Sequence, residues 1–127
     1  MNVRLLALTA AMLVSLAPGA AQQISQGRIT ARSVFQGQIP GREGDGAPPR
    51  VDIRLWSIRG HQRVAGLVLP LRGVMIVELR AGEVTTIIGG RRVERREGDI
   101  WTVPEDAVMQ LETEDDTAVI QTTVVGD

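Results

Sequence analysis

The sequence predicts an all-β protein, a small antiparallel β-sandwich or β-barrel that follows a signal-peptide helix. From residue 51 onward, short runs of Val, Ile, Leu and Thr recur, and glycine, proline or acidic residues separate them. No segment after residue 21 shows the sustained 3.6-residue periodicity of an amphipathic helix. Eight or nine short strands at this spacing are typical of an antiparallel sandwich or barrel.

The first 21 residues have the features of a secretory signal peptide. Arg4 supplies a positive charge, and Leu5–Ala17 is an apolar run that is shorter than the about 20 residues needed to span a bilayer. Gly19 and Ala21 place small residues at the −3 and −1 positions of a cleavage site after Ala21. We therefore expect a periplasmic or secreted protein without a stable membrane anchor after cleavage. The alternative is a buried N-terminal helix.

Turn residues divide the remaining chain into candidate strands. Ile29–Phe35 is a candidate N-terminal strand, and the Gly- and Pro-rich segment 39–50 is predicted to be a loop or linker. Further strands are predicted at Val51–Ile58, Val64–Leu69, Val74–Leu79, Val84–Ile88, Arg91–Arg96, Ile100–Val103, Val108–Glu112 and Ala118–Val125. Gly89-Gly90 is the strongest hairpin turn, and Glu114–Asp116 is predicted to be another. We therefore assign a signal peptide (1–21), an N-terminal strand and loop (22–50) and a barrel domain (51–127).

Composition excludes several kinds of chemistry. The net charge of −1 gives no general attraction for nucleic acid or anionic lipid, and two tryptophans and one phenylalanine are few for base stacking. The absence of cysteine excludes disulfides, thiolate metal sites and thiol nucleophiles. With one histidine and no tyrosine, the chain offers few groups for acid–base catalysis. We predict no cofactor and no specific catalytic residue.

One stretch, GDIWTVP, supports a more specific assignment. Gly98 is followed by five residues and then Pro104. This spacing resembles the second conserved motif of the cupin superfamily, in which a glycine, a histidine and an asparagine follow the proline at fixed intervals. Asp106 stands at the position of that glycine, Met109 at the histidine and Thr113 at the asparagine.

The first cupin motif is matched in its scaffold but not in its metal ligands. With Gly82 as the motif glycine, the resemblance places Met75 at the ligand glutamate, and the paired histidines would fall in 68–71, which reads Val-Leu-Pro-Leu. The resemblance therefore implies a degenerate cupin-like jelly roll in which all four metal-ligand positions are apolar. Thioethers suit Cu(I) but not Fe, Mn or Zn. We predict that Met75 and Met109 fill the core and that no metal is bound; a soft-metal site is the alternative.

Three polar or aromatic residues join the two methionines as candidate ligand-binding residues in the barrel. Arg91 and Arg95 share one face of a predicted strand, and guanidinium groups suit carboxylates, phosphates and acidic sugars. The alternative is an exposed strand whose charges discourage edge-to-edge association. Trp101 could stack on a sugar ring, although burial in the sheet or at a dimer contact is the alternative.

His61 completes the set of candidate ligand-binding residues, which is His61, Met75, Arg91, Arg95, Trp101 and Met109. It follows Arg59-Gly60. As a metal ligand it would need imidazole or thiolate partners, which the chain does not contain. The alternative is a histidine in a surface turn or at the barrel rim.

Three functional hypotheses follow. The first is an exported, metal-free cupin-like domain that binds a small molecule (an organic anion or a sugar) or a partner protein. The second is a metal-independent cupin-fold enzyme of the sugar isomerase or epimerase type. The third is a dimerisation or assembly module without a ligand, which predicts an interior filled by Met75, Val77, Leu79 and Met109. The resemblance also implies a homodimer, with Ile29–Phe35 packing on the second subunit.

Overall fold

The computed structural model describes residues 23–25, 28–40, 46 and 48–126, and this part of the chain is all-β. The predicted signal peptide and its cleavage site lie outside the described residues. No helix in the described part is long and apolar enough to cross a membrane. The strands are β1 (Gln23–Ser25), β2 (Ile29–Gln38), β3 (Arg50–Ile58), β4 (Arg63–Val64), β5 (Gly73–Ala81), β6 (Val84–Ile88), β7 (Arg91–Arg95), β8 (Ile100–Val103), β9 (Met109–Thr113) and β10 (Ala118–Gly126).

The strands form two antiparallel sheets. The larger sheet has the order β1-β2-β3-β10-β5-β8, and the smaller has the order β4-β9-β6-β7. From β3 onward the chain passes from one sheet to the other at every connection except the β6–β7 hairpin. Alternation of this kind is characteristic of a jelly roll, in which two sheets enclose one core. The predicted all-β barrel is therefore confirmed.

The core lies between the sheets because successive side chains of a strand point to opposite faces. Met75, Val77 and Leu79 alternate with exposed or half-buried residues along β5 and are all buried. β10 repeats the pattern with Ala118, Ile120, Thr122 and Val124. Each large aliphatic side chain removed from water contributes about 1.5–3 kcal/mol.

Several predicted elements match the structure closely. Val84–Ile88 and Ile100–Val103 are strands with the predicted bounds. Gly89 and Gly90 have φ angles of 57° and 77° and close the β6–β7 hairpin, as predicted. Positive φ at both central positions is the mark of the type I′ turn, which glycine adopts without steric cost.

Other predicted elements are wrong. Val64–Leu69 is not a strand beyond Val64, since Gly66 and Pro70 interrupt the segment and Val68 is 73% exposed. Glu114–Asp116 does not close a hairpin, because it connects β9 and β10, which belong to different sheets. β1 was not predicted, because three residues are too few to show a pattern.

We expect the Leu111→Ala variant to lower the free energy of unfolding by about 2–5 kcal/mol, since Leu111 is fully buried and its loss leaves a cavity. Urea denaturation with an unchanged m value measures this effect. Val68→Ala serves as the control and should change stability by less than about 0.5 kcal/mol, because Val68 is exposed. Equal losses in the two variants would contradict the assigned core.

Candidate functional site

Three of the candidate residues are in contact where β8, an edge strand of the larger sheet, meets β7 and β9 of the smaller sheet. Trp101 Nε1 donates a hydrogen bond to Met109 Sδ at 3.2 Å. The guanidinium carbon of Arg95 lies 4.6 Å from the centroid of the Trp101 ring, which is cation–π distance. Arg95 Nε also donates to Thr86 Oγ1 at 3.1 Å. We call Thr86, Arg95, Trp101 and Met109 the tryptophan cluster.

Met75 belongs to the same interior but not to the tryptophan cluster. It faces inward on β5, where it pairs with Val103 of β8 and Val124 of β10, and it is 4% exposed. Met75 and Met109 thus bring thioethers to the positions at which the resemblance places a glutamate and a histidine. Among the described residues, no group of three or more His, Asp or Glu side chains could hold a metal ion. These donors do not fit an Fe, Mn or Zn site.

His61 and Arg91 lie away from the tryptophan cluster. His61 is exposed in the turn after β3 at a φ of 58°, and its Nε2 is 3.5 Å from Asp115 Oδ1. Arg91 is exposed at the opposite end of β7 from Arg95. Four residues along a strand separate Arg91 and Arg95 by about 13 Å. They are therefore too far apart to bind one small carboxylate together.

The structure contains a buried ion pair that the sequence analysis missed. Asp52 and Arg54 are 1% and 4% exposed on the inner face of β3. Arg54 Nε donates to Asp52 Oδ1 at 2.9 Å, and Gln36 Nε2 donates to Asp52 Oδ2 at the same distance. The sequence contained a signal for this pair, because two opposite charges that are two residues apart on a strand lie on the same face. The apolar residues that alternate with them (Val51, Ile53 and Leu55) suggested that the other face was buried.

A cavity of about 330 Å³ opens above this ion pair. It lies where the C-terminal end of β2 and the N-terminal end of β3 meet the irregular segment 65–72. Among the described residues it is lined by Gln36, Gly37, Gln38, Arg50, Val51, Asp52, Pro70 and Leu71. We call it the mouth cavity.

A second depression, of about 480 Å³, lies on the outer face of the smaller sheet. We call it the outer cleft. Its described lining is His61, Gln62, Arg63, Thr85, Arg92, Glu94, Glu112, Thr113 and Glu114. Glu112 Oε2 accepts a hydrogen bond from Arg92 Nη2 at 2.7 Å, and this bond holds the pKa of the Glu112 carboxyl below its usual range. Acidic and basic groups alternate here, so the cleft presents no field of one sign.

The outer face of the larger sheet is mostly apolar. One cross-strand row runs Phe35, Ile53, Thr123, Ile76, Thr102 through β2, β3, β10, β5 and β8. Val51, Val125 and Val74 form the row on one side, and Leu55 and Ile100 lie on the other, where Gln121 and Glu78 separate them. Phe35 is 51% exposed and Ile100 is 65% exposed. We call these ten residues, excluding Gln121 and Glu78, the outer face.

Comparison with known proteins gives a fold but no relative by sequence. No family model matches the chain, and no curated protein matches its sequence. The cupin domain of Cnp3 from Schizosaccharomyces pombe superposes with a TM-score of 0.61 at 10% identity, over 90% of this chain and 74% of that one. An uncharacterised double-stranded β-helix protein from Klebsiella pneumoniae gives a TM-score of 0.61 at 16% identity, over 81% and 80%.

These similarities establish the class of fold. The chain has the cupin fold, a double-stranded β-helix, as the motif spacing predicted. A putative sugar phosphate isomerase from Acidithiobacillus ferrooxidans is a more distant neighbour, with a TM-score of 0.50 at 17% identity over 59% of this chain and 49% of that one.

The pairing of Arg92 with Glu112 predicts a measurable acid titration. Because the pKa of the Glu112 carboxyl is lowered in the folded state, its ionised form stabilises the fold at pH values above the pKa that it has in the unfolded chain. This contribution is lost as the pH falls through the pKa of the folded state. NMR titration should show Glu112 titrating below an ordinary glutamate in the unmodified protein. In Arg92→Gln the pKa of Glu112 should rise toward the usual range of a glutamate, because the hydrogen bond from Arg92 is lost. In the control Arg91→Gln the Glu112 pKa should stay low; an equal rise in both variants would contradict the assignment.

Proposed function

We propose that this protein is an exported, metal-free cupin-fold module that acts by association, as a homodimer, rather than by chemistry at the barrel centre. The observation that carries the proposal is the apolar outer face. An exposed, largely apolar patch that crosses five strands is a candidate interaction surface, since the largest apolar patch on a protein surface is often functional, whereas single scattered apolar residues are not.

The packing of the barrel centre supports a role other than catalysis. Met75, Val77, Leu79 and Met109 are each at most 4% exposed, which is the filled interior expected of an assembly module. The indole N–H of Trp101 is used by Met109, and Arg95 is held by Thr86 and the Trp101 ring. The mouth cavity and the outer cleft are lined by other residues.

The enzyme hypothesis has less support. Acid–base catalysis needs a titratable group within hydrogen-bond reach of a bound substrate. The one histidine, His61, lies in an exposed turn and contacts Asp115, which is also exposed. The isomerase neighbour shares the fold alone and does not bring its activity to this chain.

The dimensions of the outer face are those of a small, weak interface. Five strands about 4.8 Å apart and about five residues long, at about 3.3 Å per residue, give a footprint of about 400 Å² per copy. Specific complexes at the low end of the size range bury about 600 Å² per partner.

The order of residues across the outer face favours a second copy as the partner. A twofold axis parallel to β10, the central strand, brings Ile53 of one copy opposite Ile76 of the other and leaves Thr123 on the axis. The same axis places the exposed Arg32 of β2 opposite Ile100 of β8, beside Glu78 of β5. Val51 meets Val74 in the same way, whereas Leu55 lies opposite Glu78 and Phe35 opposite Thr102. Such an isologous contact is self-complementary.

We expect Ile76→Glu to weaken the homodimer by about tenfold or more, because a carboxylate at the centre of the outer face would be desolvated in the interface. Analytical ultracentrifugation over a concentration series measures the dissociation constant, and circular dichroism verifies that the variant is folded. Val108→Glu is the matched control, since Val108 is 64% exposed and lies outside the outer face. A monomeric unmodified protein, or equal weakening by both variants, would contradict the proposed interface.

Export predicts a defined new N-terminus. When the gene is expressed in a Gram-negative host, the protein should accumulate outside the cytoplasm and begin at Gln22, because signal peptidase cleaves after small residues at −3 and −1. Mass spectrometry of the intact protein measures the terminus, and cell fractionation measures the location. Ala21→Arg should block cleavage. A cytoplasmic protein that retains residues 1–21 would contradict the export proposal.

A further inference from the structure

The mouth cavity contains a polar side chain that is held in place before any ligand arrives. Gln36 is exposed, but its Nε2 donates to Asp52 Oδ2 at 2.9 Å. Asp52 is itself fixed from the other side by Arg54 Nε at 2.9 Å. The amide orientation of Gln36 is thereby set, which leaves its carbonyl oxygen and one N–H for other partners. A preorganised group of this kind loses little conformational entropy when a ligand binds.

The charge of the mouth cavity comes from Arg50. The buried Asp52 and Arg54 charges oppose each other, so together they add no net charge. Arg50 is exposed at the start of β3 and makes no hydrogen bond or ion pair with any side chain in the described part of the chain. Its guanidinium offers two parallel N–H donors, the geometry that binds a carboxylate.

The remaining lining limits the kind of ligand. Gln36 and Gln38 can both donate and accept, so they pair best with hydroxyl groups, which do the same. Pro70 and Leu71 form an apolar wall that suits the C–H face of a sugar ring. A volume of about 330 Å³ is near the lower end for ligand pockets, so the occupant is small.

We propose that the mouth cavity binds a small sugar acid, with Arg50 pairing with its carboxylate and Gln36 and Gln38 hydrogen-bonding its hydroxyls. This site requires neither the homodimer nor the barrel centre, so it goes beyond the proposed function. It also moves the predicted anion site from Arg91 and Arg95 to Arg50. Inorganic phosphate fits less well, because it has fewer hydroxyl groups than a sugar acid and no C–H face to pack against Pro70 and Leu71.

Calorimetric titration with D-glucuronate tests the proposal. The unmodified protein should bind one D-glucuronate per chain, and Arg50→Gln should weaken binding by about tenfold or more, since hydrogen bonds to charged groups are the stronger ones. The matched control is Arg91→Gln, which removes the same charge from an exposed strand position outside the mouth cavity. Arg91→Gln should bind D-glucuronate with unchanged affinity. D-glucose and inorganic phosphate are the comparison ligands and should bind at least about tenfold more weakly.

The role of Asp52 in holding Gln36 has its own signature. On addition of D-glucuronate, the side-chain amide resonances of Gln36 should shift in NMR spectra of the unmodified protein. In Asp52→Asn the amide is no longer fixed by a carboxylate, so both the shift and the affinity should fall. If Asp52 had a merely structural role, addition of D-glucuronate would shift the Gln36 resonances of the folded Asp52→Asn variant as much as those of the unmodified protein.

Several results would overturn the proposal. These are no binding of D-glucuronate, equal binding of D-glucose, tighter binding of phosphate, or equal losses in Arg50→Gln and Arg91→Gln. Measuring the oligomeric state of the same samples separates the two ideas. A dimer that does not bind D-glucuronate would overturn the sugar-acid site alone, and a monomer that binds it would overturn the homodimer alone.

Discussion

Trp101 connects the two sheets, and the rest of the barrel depends on this contact. It belongs to β8 of the larger sheet, whereas its two polar contacts, Met109 and Arg95, belong to β9 and β7 of the smaller one. A buried indole N–H without an acceptor would destabilise the fold by about 1–3 kcal/mol. The thioether of Met109 avoids this loss because it accepts the hydrogen bond. The methionine at a position typical of a metal ligand is thus explained by the needs of the tryptophan beside it.

The second constraint is the buried charge on β3. Asp52 and Arg54 face the interior beside Trp56, whose Nε1 donates to Thr122 Oγ1 at 2.8 Å. If one partner of a buried ion pair is removed, the remaining buried charge is uncompensated, and this strongly destabilises the fold. The strand must therefore keep both charges inward, and it then has to present Val51, Ile53 and Leu55 outward. The contribution of β3 to the outer face therefore follows from the register that the ion pair requires.

The sequence predicted much of the fold because turns and short strands leave local signals. Gly89-Gly90 and the alternation along Val74–Leu79 are such signals, and the GDIWTVP spacing added the class of barrel. The prediction of a strand at Val64–Leu69 was wrong, because the apolar residues after Val64 cover the end of the barrel and have no neighbouring strand to pair with. The mouth cavity was not predictable either, since Gln36, Arg50 and Pro70 come from three separate segments. Only the fold brings them together.

The short β4 has a consequence for how this barrel can change over time. β4 ends at Val64, and the irregular segment after it lines the mouth cavity together with the ends of β2 and β3, which we call the overhang. Side chains on this overhang, such as Gln38 and Arg50, are exposed and make no part of the packed interior. Exposed positions accept substitution with little loss of stability. New ligand preferences can therefore evolve at the overhang while the core that keeps the barrel folded stays unchanged.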